Sequence, residues 1–397
     1  MKVLIADKMS SQTEVALREL GATLEVKPDL SADDLPGAIG DAQVLIVRST
    51  KVTAATIAAG KKLSLIVRAG AGVNTIDVDA ASQRGIYVTN CPGKNSAAVA
   101  ELAIGLLIAC DRRLVNATND LRNGQWRKKE YGKARGLRRR TLGIIGMGMI
   151  GKEVACRAQG LGMRVLAWSR SLTEAAAEEL GVEYCASPLE IARRSDAVTL
   201  HVAAAAETNR LVNKEFLDAL PNGAILINTS RGEVIDQGAL IDAIQRKNLR
   251  VGLDVFADEP KPGEAPFADT ELAKLVTATP HIGASTDEAS EAIAEESVRI
   301  IRLFRETGKP VNTVNMCART PATHSLVVRH FNRVGVLASI LDLLREEGIN
   351  VEEMENTIFA GAKAACCTLQ LDTPPSDAII AALTKNDAIL QVSLESR

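Results

Sequence analysis

A guanidinium, a carboxylate and an imidazole recur at one kind of place in this sequence of 397 residues, just beyond short apolar runs. Arg231 follows the run ending Ile227-Asn228, within Thr229-Ser230-Arg231-Gly232. Glu259 closes Gly252-Leu253-Asp254-Val255-Phe256-Ala257-Asp258-Glu259-Pro260, and His281 stands in Thr279-Pro280-His281-Ile282-Gly283. Runs of that composition predict buried parallel strands, and open α/β sheets bind ligands beyond the carboxyl ends of such strands. Oxidising a hydroxyl beside a carboxylate needs a base for the proton, a cation for the anion, and a group that holds the base in its working tautomer. The sequence has four histidines, so the base can be sought by elimination. His324 and His330 lie near the carboxyl terminus, away from the glycine motif described next. His201 falls inside the strand predicted over Ala197 to Val202 and reads as structural or lining. His281 is left. Singly, a capping Glu, a surface Arg and a loop His would be ordinary; their shared placement argues for a site.

Gly146-Met147-Gly148-Met149-Ile150-Gly151 follows a predicted buried strand and opens a helix expected over Lys152 to Gly160. In that context Gly146 permits the tight turn, Gly148 lets the backbone approach a pyrophosphate, and Gly151 lets helix pack on strand. The free N–H groups at Met149 and Ile150 face the anion. An Asp or Glu at the end of the next strand would bind the two ribose hydroxyls of NAD. The sequence instead has Trp168-Ser169-Arg170-Ser171, which leaves NAD against NADP open.

These motifs need elements to hold them. Val3 to Ile5, Val44 to Val47, Leu65 to Val67 and Ile86 to Val88 predict strands of a first α/β series. After Asn90-Cys91-Pro92-Gly93 comes a long helix opened by Asn95 or Ser96, which carries the chain towards a second series starting at Thr141. Its strands are expected over Leu142 to Ile145, Val165 to Trp168, Ala197 to Val202, Ala224 to Asn228, Val251 to Val255 and Leu275 to Ala278, and a helix follows over Asp287 to Arg305. From about Pro321 the order is strand, helix, strand, strand, helix, strand, which fits a small ferredoxin-like α+β domain. A net charge of −2 gives no basis for nucleic-acid or membrane partners, and the basic stretch Lys133 to Arg140 reads as a solvated connector. Seven cysteines without metal spacing predict reduced thiols, no metal site and a cytoplasmic location.

The motifs at Gly146 to Gly151, Asn228 to Gly232, Gly252 to Phe256 with Glu259-Pro260, and Thr279 to Gly283 resemble those of the D-2-hydroxyacid dehydrogenases, in order and in rough spacing. The resemblance runs from the start of the chain to about residue 315. It implies a discontinuous, flavodoxin-like substrate domain (1–95 plus 284–315) and a Rossmann nucleotide domain (96–283) that binds NAD. It implies that Arg231 holds the substrate carboxylate and keto oxygen, that His281 is the acid/base, and that Glu259 hydrogen-bonds the imidazole. The cofactor would lie along Gly146, Gly148, Met149, Ile150, Gly151, Ser169, Arg170, Val202, Thr229, Ser230, Arg231, Asp254, His281 and Gly283.

Arg48 and Arg68 are expected at strand ends of the first domain, where two guanidiniums suit a phosphate. The backbone of Gly70, Ala71 and Gly72 could cradle a carboxylate. These segments resemble the phosphoglycerate dehydrogenase branch of the family, and the small-molecule substrate they imply is 3-phospho-D-glycerate; glyoxylate or hydroxypyruvate is the alternative. A dinucleotide-sensing binding protein is the alternative of another class, disfavoured by Arg231, Glu259 and His281 together. A cation from Arg127 or Lys128 is available to assist across a subunit boundary, and a homo-oligomer, dimer or tetramer, is expected. Residues 321–397 resemble an ACT domain, a regulatory fold that often binds amino acids. His330, Asn332 and Asn350 supply polar groups for an L-serine effector, although Val334 replaces the family's usual Pro before the glycine.

Overall fold

The computed structural model describes residues 1–260, 266–317 and 320–396. Two compact units divide the chain, Met1–Asn315 and Met316–Arg397. The first unit holds two parallel sheets. One has the order β2-β1-β3-β4-β5, formed by β1 (Lys2–Ile5), β2 (Thr23–Val26), β3 (Val44–Val47), β4 (Leu65–Arg68) and β5 (Tyr87–Thr89). That is the flavodoxin-like order. The other contains β6 (Thr141–Ile145), β7 (Arg164–Trp168), β8 (Glu183–Tyr184), β9 (Ala197–Leu200), β10 (Ile225–Asn228), β11 (Arg250–Leu253) and β12 (Thr277–Ala278). Its order, β12-β11-β10-β9-β6-β7-β8, reverses beside β6, which is the Rossmann arrangement.

The central strands are apolar along their whole length because helices cover both faces of each sheet. Val44 to Val47 and Ile225 to Asn228 are fully buried, and the helix Ser96–Arg112 packs Leu106 and Leu107 against the second sheet. Gly252 makes that approach possible, since a Cβ there would lie 2.7 Å from Ile227 and 3.1 Å from Leu106. The end of the helix is pinned by a buried pair, Asp111 to Arg140 at 2.8 Å. The basic stretch is therefore not a solvated connector throughout: Arg140 is enclosed, Arg135 reaches Asp196 at 3.0 Å, and Arg138 lies over Gly162. The chain returns to the first sheet through the helix Asp287–Thr307, whose Ile293, Val298 and Ile301 share a core with Val3, Ile5 and Val67.

The second unit is an antiparallel sheet of order β14-β15-β13-β16, formed by β13 (His324–Phe331), β14 (Val351–Ile358), β15 (Ala364–Leu371) and β16 (Ile389–Ser396). Helices Val336–Glu346 and Asp377–Lys385 cover one face, giving the expected ferredoxin-like βαββαβ fold. No helix among the described residues is long and apolar enough to cross a membrane.

Candidate functional site

All three residues of the proposed trio come out at the carboxyl ends of adjacent strands of the second sheet. β10 ends at Asn228, whose buried side chain then builds the loop that follows. Its Oδ1 accepts from the Ser230 N–H at 3.0 Å and the Ser230 hydroxyl at 2.7 Å, and its Nδ2 donates to the Arg231 carbonyl at 2.8 Å. Arg231 leaves this loop towards the first domain, where its guanidinium lies 3.4 Å from Asn74 Oδ1. Gly72 makes room for it, since a Cβ there would lie 2.4 Å from Nη2.

Beyond β11, Asp254 is 1% exposed and organises the next loop. It accepts from the Thr279 hydroxyl at 2.6 Å, the Ile282 N–H at 2.8 Å and the Gly283 N–H at 2.9 Å. The loop so held places His281 at φ 53°, a left-handed conformation uncommon for a residue with a side chain. Strain of this kind persists where neighbouring contacts over-determine it. His281 Nδ1 is 2.7 Å from Glu259 Oε2, and Glu259 Oε1 accepts from the Phe256 N–H at 3.2 Å. Burial alone would push the Glu259 carboxyl up. The His281 contact, the Phe256 N–H and the charge of Arg231 outweigh it, and the group lies below the usual carboxylate range.

Opposite this trio, across a cleft of about 1390 Å³, stand Arg48 and Arg68 of the first domain. The Asp7 carboxylate accepts from the N–H groups of Arg48, Ser49 and Thr50 at 2.7, 3.1 and 3.1 Å, which fixes that loop. Burial, reinforced by Arg231, pushes Arg68 down to about 10, and its Nε has no hydrogen-bond partner among the described residues. Its guanidinium lies over Gly70, where any Cβ would fall 1.6 Å from Nη1. The Gly70 N–H is engaged by the Arg68 carbonyl at 2.8 Å, so Gly70 serves here as space for a cation rather than as a donor. Ala71 is held by its carbonyl, which accepts from Asn90 Nδ2 at 2.6 Å.

The glycine motif fits a dinucleotide. Gly146 has φ 101°, and a Cβ there would meet the His201 carbonyl at 2.3 Å. A Cβ on Gly151 would meet the Gly146 carbonyl at 2.0 Å, whereas one on Gly148 would meet nothing within 4 Å. Gly148 caps the helix Met149–Gly160 without any side-chain hydrogen bond, so the N–H groups at Met149 and Ile150 are open to an anion. This helix begins three residues before the expected Lys152. Ser169 and Arg170 follow β7, Val202 touches the glycine turn, and the Thr229 hydroxyl is buried without a hydrogen-bond partner among the described residues. His201 lies just past β9 rather than within it; burial pushes it to about 3, and its Nε2 contacts Thr199 Oγ1 at 2.9 Å.

Residues 104–283 match the model of the D-isomer specific 2-hydroxyacid dehydrogenase, NAD binding domain. A hydroxypyruvate reductase of Thermotoga maritima is 41% identical over 304 residues, covering 76% of this chain and 96% of that protein. The chain belongs to the D-isomer specific 2-hydroxyacid dehydrogenase family. A D-3-phosphoglycerate dehydrogenase of Methanocaldococcus jannaschii is 38% identical over 308 residues, or 76% of this chain, and the match spans 58% of that relative's length. The NAD⁺-bound structure of a 3-phosphoglycerate dehydrogenase from Entamoeba histolytica superimposes with a TM-score of 0.67 at 29% identity, over 80% of this chain and 99% of that one.

Two contributors to the site carry no motif of their own: Asn74 and Asp7 act through partners that only the fold brings close. Asn228, inside a motif, works locally, and its place two residues before Ser230 is a recognisable Asx-turn signal. In the second unit His330 is buried, with Nδ1 donating to the Phe331 carbonyl at 2.8 Å and Nε2 3.1 Å from Asn356 Oδ1. Asn332 donates to the Ala362 carbonyl, and Asn350 to Glu352. β13 and β14 run in the same direction on either side of β15, so Asn350 lies at the opposite end of the sheet from His330 and Asn332. One chain does not bring these three together.

Proposed function

We propose that this family member oxidises 3-phospho-D-glycerate to 3-phosphohydroxypyruvate with NAD, a step of L-serine biosynthesis. The observation that carries the reading is the string Arg231, Arg68 and Arg48 along one cleft, with the Arg68 Nε lacking a hydrogen-bond partner among the described residues. A substrate with a carboxylate at one end and a phosphate at the other would satisfy all three. A partly buried cation without an anion is costly, and an arriving dianion offsets that cost. Arg231 holds the carboxylate, Glu259 fixes the imidazole by its Nδ1, and His281 takes the hydroxyl proton. The bound dinucleotide supplies the hydride acceptor. His281→Asn keeps a residue that tolerates the left-handed backbone, so the loss of roughly a hundredfold or more in kcat would report chemistry rather than misfolding.

A second reading, reduction of glyoxylate or hydroxypyruvate, is favoured by the Thermotoga maritima relative. A steady-state panel of 3-phosphoglycerate, hydroxypyruvate and glyoxylate with both cofactors separates the two. A kcat/KM for the phosphorylated acid no better than for the small ones would overturn the first reading. For the second unit, a serine site formed between two copies, from the His330 end of one sheet and the Asn350 end of another, accords with their separation within one chain.

A further inference from the structure

We propose that Glu207 decides between the two dinucleotides: its carboxylate, beside Arg170 at the adenosine corner, excludes a 2′-phosphate and selects NAD. The corner is defined by the sheet order, because β6 lies between β7 and β9. On one side the Gly146 N–H donates to the Trp168 carbonyl at 2.8 Å; on the other, Gly146 abuts the His201 carbonyl and Val202. The segments leaving β7 and β9 therefore flank the glycine turn, and the adenosine ribose belongs between them. β7 ends without the usual acidic residue. Arg170 by itself would make the corner cationic and receptive to a phosphate.

The missing carboxylate comes from the other loop. Arg170 Nη1 is 4.0 Å from Glu207 Oε2. Glu207 belongs to the short turn Ala206–Thr208, which the buried Thr208 fixes: its hydroxyl donates to the Ala203 carbonyl at 2.6 Å and accepts from the Ala205 N–H at 2.9 Å. Both charged groups are well exposed, and a pair of that kind adds little to stability. Its effect is on what can bind. A ribose hydroxyl can donate to Glu207, whereas a 2′-phosphate must draw Arg170 away from Glu207 and then lie beside a like charge. Two like charges about 6 Å apart at a surface cost on the order of a tenfold loss of affinity.

Binding of NADH and of NADPH without substrate tests this, by nucleotide fluorescence or calorimetry on the full chain, and is independent of which acid is oxidised. The wild type should bind NADH roughly tenfold or more tightly than NADPH, and higher salt should narrow the gap. Glu207→Gln should raise NADPH affinity by about tenfold while changing NADH by less than about threefold. Adding Arg170→Ala to that variant should remove the gain. NADH and NADPH affinities that move together in Glu207→Gln, or a wild type that binds both equally, would overturn the proposal.

Discussion

Glu259 Oε2 lies 2.7 Å from His281 Nδ1, which leaves Nε2 as the ring nitrogen available to a substrate hydroxyl. The Glu259 carboxyl is held below its ordinary value, so the pairing is intact above the usual carboxylate range and is lost as pH falls through the depressed value. An acid limb of the kcat/KM profile above pH about 5 therefore does not come from Glu259. Glu259→Gln removes the charge beside the ring while keeping an acceptor for it, and kcat should fall. A profile that keeps its position would show that the contact orients the ring without tuning it.

Asp254 should matter to stability and activity together. Its carboxylate holds the Thr279 hydroxyl and the Ile282 and Gly283 N–H groups, and Asp254→Ala leaves these donors without their acceptor. We expect a loss of roughly 2–4 kcal/mol in urea unfolding. A larger fractional fall in kcat than in dinucleotide affinity should accompany it, because the same loop sets the His281 backbone.

Arg68 should show the opposite relation between stability and function. Its charge is disfavoured by burial and by Arg231, so Arg68→Met should raise unfolding stability by about 1–2 kcal/mol. The same variant should raise KM for 3-phosphoglycerate by roughly a hundredfold, with a smaller effect on hydroxypyruvate. Differential scanning calorimetry and the two saturation curves check both halves.

A chain ending at Asn315 removes the whole second unit at its boundary with the first. Turnover should survive the truncation, since every residue of the cleft lies before it. L-serine should inhibit the intact chain and leave the truncated one unaffected, because an effector shifts an equilibrium only by binding its states unequally. Inhibition that persists after truncation would place serine in the cleft.

The site is largely readable because Gly146, Arg231 and Glu259 each follow a mostly buried, apolar strand, so motif and position reinforce one another there; ahead of His281 the strand is only Thr277-Ala278 at the sheet edge, and the motif alone marks that residue. Edge strands are less readable. β2, Thr-Leu-Glu-Val, and β8, Glu-Tyr, are short and partly exposed, and each lacks the apolar run that announces a buried strand. The apolar run continues to Val202, which puts His201 inside the strand the sequence predicts, whereas pairing with β10 and β6 stops at Leu200. Asp7 and Asn74 work through partners 41 to 157 residues away, a range that no local spacing reveals. The eclipse of Arg170 by Glu207 depends on the same kind of distance.

The layer that covers the first sheet is drawn from distant parts of the sequence, and this has a bearing on how the protein is made. One face of β1, at Val3 and Ile5, is covered by Ile293, Val298 and Ile301. A ribosome adding roughly 5–20 residues per second needs roughly 15–60 s to reach that helix after the strand has emerged. Until then the nascent chain carries an uncovered apolar face. The second sheet draws all its strands from Thr141 to Ala278 and meets no such delay. The sheet translated second therefore has its own strands in hand before the helix that covers Val3 and Ile5 has been made.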